Sequence, residues 1–111
     1  MTIIKYIARR FEEALNTVAD PSSRVDEVNT SCTNIFAAMM AEKLHASTRK
    51  GRAGWHDREA VSDEELSQML IEHLSKSNAG TFVDIANFAM MLHLRDADPK
   101  LLGVALKGGA K

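Results

Sequence analysis

The stretch F-V-D-I-A-N-F-A-M-M-L-H-L, residues 82–94, limits the fold more than any other part of the chain. Wound into a helix, it is apolar nearly all round. Such a helix lies at the centre of a bundle or in an interface between copies. The segment also carries Asp84 and Asn87, three residues apart and therefore on one helical face. Burying either group unpaired costs about 1–3 kcal/mol. The pair must satisfy local structure or bind a ligand.

The other segments follow the same period. Ile4, Ile7, Phe11, Leu15 and Val18 recur at steps of three and four, which predicts a helix over 3–18. Asp20-Pro21 is a start signal, with Asp as cap and Pro in the first turn. A second helix is expected over 21–46, with Val25, Val28, Cys32, Ile35, Phe36, Met39, Met40 and Leu44 as its stripe. Thr30, Ser31 and Thr33 weaken its middle. Ser62-Asp63-Glu64-Glu65 reads as a capping box opening a helix over 62–76. After the turn Ser77–Gly80, Thr81 is expected to cap the helix over 82–94, with Asp84 as its third residue. Asp98-Pro99 breaks the chain again. One more short helix fits 100–106, and the rest of 96–111 carries little signal. No stretch alternates with the period of a strand. These elements make an all-α bundle of four to five helices in a single domain, expected to be completed by homo-oligomerisation.

Composition agrees and excludes some functions. An apolar share of 45% supplies a core, and few of those residues are aromatic. The net charge of −1 offers no global attraction to nucleic acid. Cys32 is the single cysteine, so neither an internal disulfide nor a multi-cysteine zinc site can form, and a reducing cytoplasm fits. No apolar run approaches the ~20 residues of a membrane span. The N-terminus, amphipathic and partly acidic, does not have the form of a signal peptide.

Three constellations bear on function. Glu72 and His73 end one helix, Asp84 and Asn87 begin the next, and a short turn makes the two antiparallel neighbours. Carboxylates on facing helices are how bundles hold hard cations, and Mg²⁺ needs few of them when phosphate oxygens complete its shell. The plain alternative is that Asp84 caps its helix and Asn87 bonds a neighbouring loop. The loop R-K-G-R-A-G-W-H-D-R, residues 49–58, is the second. Its glycines could let amides approach a phosphate, Lys50 and Arg52 could neutralise it, and Trp55 could stack on a base. The alternative is a solvated connection whose Trp55 closes one end of the bundle. The third set, His45, His56, His73 and His93, has no i, i+4 pairing, so it carries no zinc signature. Cys32 sits on an apolar stripe, the ordinary place of an inert thiol.

The motifs K-G-R-A-G-W, E-H-L-S-K and V-D-I-A-N-F-A-M-M-L, within residues 42–95, resemble the MazG-like all-α nucleotide pyrophosphohydrolases of phages and prokaryotes. The resemblance implies two acidic pairs, E-x-x-E and E-x-x-D, on adjacent helices. In the family these pairs hold Mg²⁺ and orient water against the α–β phosphate linkage. Asp84 matches the last acid, Asn87 the asparagine that often follows it, and Glu72 one acid of the first pair. Thr81 stands where the companion of Asp84 would be, and His73, Ser75 and Lys76 occupy other slots of the first pair. This departure implies a scaffold that binds in place of catalysing, with no catalytic residue assigned. Lys76 and His73 would contact phosphate directly. The implied role is a phage-type accessory protein in the cytoplasm of a bacterial host, sequestering a nucleotide or docking on a host protein as a counter-defence factor. The alternative is an active Mg²⁺-dependent nucleoside triphosphate pyrophosphohydrolase whose reduced metal site is Glu72 and Asp84.

Overall fold

The computed structural model describes residues 21–109, together with Lys5, Ala8, Arg9, Arg10 and Glu12, which are helical. The rest of the helix expected over 3–18 lies outside the described residues. Four further helices follow: α1 (Pro21–Arg49), α2 (Asp63–His73), α3 (Thr81–Leu94) and α4 (Lys100–Gly109). The described residues contain no strand, so the fold is all-α. None of their helices is long and apolar enough to cross a membrane.

The chain divides into two compact units, Met1–Met39 and Met40–Lys111. In the first, none of residues 24–39 is fully buried. Val28, Cys32, Ile35 and Met39 of the expected stripe are half-buried, and Val25 and Phe36 are exposed. Thr33 donates its hydroxyl back to the Asn29 carbonyl (2.8 Å), which spends its polarity inside the helix.

The second unit holds a core of Leu66, Leu70, Met91 and Leu92. Leu66 is 2% exposed. Leu44, Trp55, Val61, Ile71, Ile85, Phe88, Met90, Ala97 and Leu102 pack against these four. α2 lies against both α3 and α4. Of α3, Thr81, Val83, Asn87, Met91 and Leu92 are buried, while Phe82 and Leu94 point to solvent. Within this chain, then, α3 covers only part of its apolar surface.

Local chemistry accounts for the helix ends. At α1, the Gly51 N–H bonds the Thr48 carbonyl and the Arg52 N–H bonds Ser47 (both 2.9 Å), with Gly51 left-handed at φ 86°. That is a Schellman ending, and it carries α1 beyond residue 46. α2 begins on Ser62, whose Oγ accepts the Glu65 N–H (3.0 Å), the serine half of the expected capping box, while the Glu65 carboxylate meets the Ser62 hydroxyl (3.3 Å). It ends at His73 instead of 76. The Leu74, Ser75 and Lys76 amides bond three residues back, and the Ser75 hydroxyl also bonds the Glu72 carbonyl. α3 ends in a second Schellman arrangement, Asp96 to His93 and Ala97 to Leu92 (both 3.0 Å), with Asp96 at φ 54° in the position that usually favours glycine. Asp98 Oδ1 accepts the Lys100 N–H (3.0 Å) and starts α4.

Candidate functional site

The turn between α2 and α3 is built by Asn78. Its Oδ1 accepts the Gly80 N–H (3.0 Å), and the Thr81 hydroxyl lies within bonding range of that oxygen and of the Lys76 carbonyl (3.3 and 3.2 Å). Thr81 is therefore not the cap of α3. Gly80 holds the cap position without a side-chain bond, and Thr81 turns back toward the preceding loop. The expected capping by Asp84 fails for the same reason. Its amide bonds the Gly80 carbonyl (3.0 Å) inside the first turn, and its carboxylate faces other helices.

Two basic side chains meet that carboxylate. Lys43 Nζ, reaching from α1, is 3.5 Å from Oδ1. His73 Nε2, at the end of α2, is 3.9 Å from Oδ2. The His73 ring is held from its other side, where Nδ1 lies 2.8 Å from the Met69 carbonyl. A carbonyl only accepts, so Nδ1 carries the proton and Nε2 of the neutral ring is a lone pair. The edge of Phe88 packs on the ring, with centroids 4.9 Å apart. Lys76 Nζ stands 3.5 Å from Nε2. Lys43 and His73, brought from two helices, thus meet a single acid, and Lys76 stands one side chain further out, on the imidazole.

Asn87 lies one turn further along α3 and is 4% exposed. Its Nδ2 donates to the Met40 carbonyl (3.2 Å), a partner in α1 where a loop had been expected. Its Oδ1 is buried without a hydrogen-bond partner. Asp84 pairs with residue 43 and Asn87 with residue 40, so α3 and the end of α1 run antiparallel. Both polar residues on the apolar helix make contacts to α1.

The structure separates the other residues singled out by sequence. Glu72 is exposed and accepts from Gln68 Nε2 (3.4 Å), one turn back on its own helix. Lys50 and Arg52 are exposed in the loop after α1. Trp55 packs on the core, stacks against His56 at 4.1 Å, and gives its carbonyl to Arg95 Nη1 (2.9 Å). That bond ties the loop to the far end of α3, a rise of about 16 Å from Asp84. The basic loop and the Asp84 cluster are therefore separate places, and Gly51 serves to end α1. Lys43 and Arg95 escaped sequence reasoning. Lys43 sits in a polar stretch of a long helix without any motif, and Arg95 follows a helix end with nothing to name its partner.

As a magnesium site the Asp84 cluster fits poorly. Mg²⁺ asks for oxygen ligands, and both oxygens of this carboxylate face nitrogen cations or their conjugate base. Among the described residues, no three His, Cys, Asp or Glu side chains converge as metal ligands would. The arrangement instead offers several N–H donors and one competing carboxylate, which suits an anion. Comparison with protein-family models, characterised proteins and solved structures gives no match for this chain.

Proposed function

We propose that the protein binds a nucleotide through its phosphates and does not hydrolyse it. One observation carries this reading: Asp84, the best-matched metal ligand in the resemblance to MazG-like proteins, faces Lys43 and His73. An acid occupied in this way is a poor base for a hydrolytic metal cluster, while Lys43 and Lys76 nearby are donors that a phosphate can use. The test is to incubate the purified chain with a panel of nucleoside and deoxynucleoside triphosphates and Mg²⁺ or Mn²⁺. Products are resolved by anion exchange, and binding is followed by calorimetry. Binding without monophosphate and pyrophosphate is expected. Steady turnover, lost in Glu72→Gln and Asp84→Asn, would establish the alternative of a pyrophosphohydrolase with a reduced Mg²⁺ site.

A second reading, docking on a host protein or a second copy of this chain, is favoured by the apolar surface beside the site. Phe82 is 80% exposed and Leu74 56% exposed, one on each side of the turn that leads into α3. Side chains of this kind bury well in an interface. Light scattering on the wild type and Phe82→Ser tests the homo-oligomer. A concentration-dependent mass lost in the variant supports it, and a monomer in both at high micromolar concentration removes it.

A further inference from the structure

We infer that Asp84 is a built-in, displaceable occupant of a phosphate seat formed by Lys43, Lys76 and His73. This rests on the ligand-binding reading above and deepens it by naming the part of the ligand that is held: a dianionic phosphate end, free of metal. Three features lead to it. First, the contacts to Asp84 are loose. They measure 3.5 and 3.9 Å, against about 2.7–2.9 Å for a tight charge-assisted hydrogen bond. A loose pair is exchanged at little cost. Second, donors outnumber the acid. Two ammonium groups offer three N–H each, Lys43 at the carboxylate and Lys76 one side chain further out on His73 Nε2, against a carboxylate with two oxygens. A phosphate dianion has three oxygens and twice the charge. Third, the seat lies over the N-terminal end of α3, whose positive dipole end favours anions. A Cβ built on Gly80 would stand 2.9 Å from Lys43 Nζ, so the lysine head lies directly on the backbone at this helix start.

Binding would proceed by exchange. Phosphate oxygens take the N–H groups of Lys43 and Lys76, and Asp84 swings toward water. Its side chain, already partly exposed, can do so. No bond is made or broken in the ligand. The consequence is opposite in sign to that of a metal site. Removing the acid must tighten the ligand, and Mg²⁺, by engaging the phosphate oxygens, must weaken it.

The experiment is calorimetric titration of the full chain with sodium pyrophosphate, and separately with a nucleoside triphosphate, in EDTA at low salt. The variants are Asp84→Asn, Lys43→Met, Gly80→Ala and, as a control for net charge, the exposed Lys107→Met. Circular dichroism confirms that each is folded. Gly80→Ala displaces the Lys43 head without deleting it, and so stands in if Lys43→Met does not fold. Asp84→Asn is expected to tighten pyrophosphate about three- to tenfold. Lys43→Met and Gly80→Ala are expected to weaken it by a similar factor, and Lys107→Met to leave it unchanged. Weaker or unchanged binding by Asp84→Asn overturns the inference. If the triphosphate binds but ignores all three site variants, the seat is wrong and the nucleotide reading stands. If pyrophosphate follows the expected pattern but the triphosphate binds no tighter, the seat stands and the nucleotide reading falls. If neither probe binds the wild type or Asp84→Asn, both fall.

Discussion

Arg95 closes the end of the helical unit opposite the site, and its replacement by leucine gives a sharp test of how that end is held. The side chain is 7% exposed. Its Nη1 donates to the Trp55 carbonyl, and its Nε lies 3.0 Å from Asp63 Oδ1 as an ion pair outside hydrogen-bond angle. Its own carbonyl accepts from Arg58 Nη2. Arg95→Leu keeps the apolar stem and removes the first two contacts. The Trp55 carbonyl, left in a half-buried place without a donor, costs about 1–3 kcal/mol. Asp63 suffers less. It is partly exposed, it sits in the first turn of α2 where the helix dipole favours it, and Arg58 Nε remains 3.8 Å away. That loss is about 0.5–1 kcal/mol. Together the change amounts to about 1.5–4 kcal/mol, or a fall in Tm of about 6–30 °C for a domain of this size. Arg95→Lys should recover part of it, because one ammonium cannot reach both partners with the same geometry. Thermal unfolding by circular dichroism measures the shift, and hydrogen exchange at the 52–61 amides shows whether the loop loosens first. A leucine variant melting within about 3 °C of wild type would refute the bridging role.

Asn87→Leu removes one hydrogen bond together with a buried, unpaired Oδ1, so stability in urea should be unchanged or higher by up to about 1 kcal/mol, whereas Asn87→Asp should lose about 2–4 kcal/mol by setting a buried charge against the Met40 carbonyl. Asp96→Gly should raise stability by about 0.5–1 kcal/mol in the same assay, because the left-handed backbone there strains any residue with a Cβ and Gly51 already occupies the equivalent place at α1. Ser62→Ala should cost about 1 kcal/mol through the lost cap on α2, read as a lower urea midpoint with an unchanged slope.

Much of the all-α architecture follows from the sequence by itself. Apolar steps of three and four, the Ser62–Glu65 capping box and the Asp98–Pro99 break act between residues a few positions apart, where the helical period alone decides what can touch. Even so, local reading put Thr81 at the cap of α3. Asn78, equally local, took the Gly80 amide and turned the threonine hydroxyl back. What only the tertiary structure decided are the contacts between distant residues. Lys43 on Asp84, Met40 under Asn87 and Arg95 beneath Trp55 join positions about forty apart. They depend on how far one helix slides along another before its core side chains lock. A shift of one turn, about 5 Å, would leave every helical stripe as apolar as before and carry Lys43 away from Asp84. Hydrophobic packing is nearly indifferent to such a shift until side-chain shapes interdigitate, so the pattern of a stripe specifies a buried face and leaves open which polar groups meet across it.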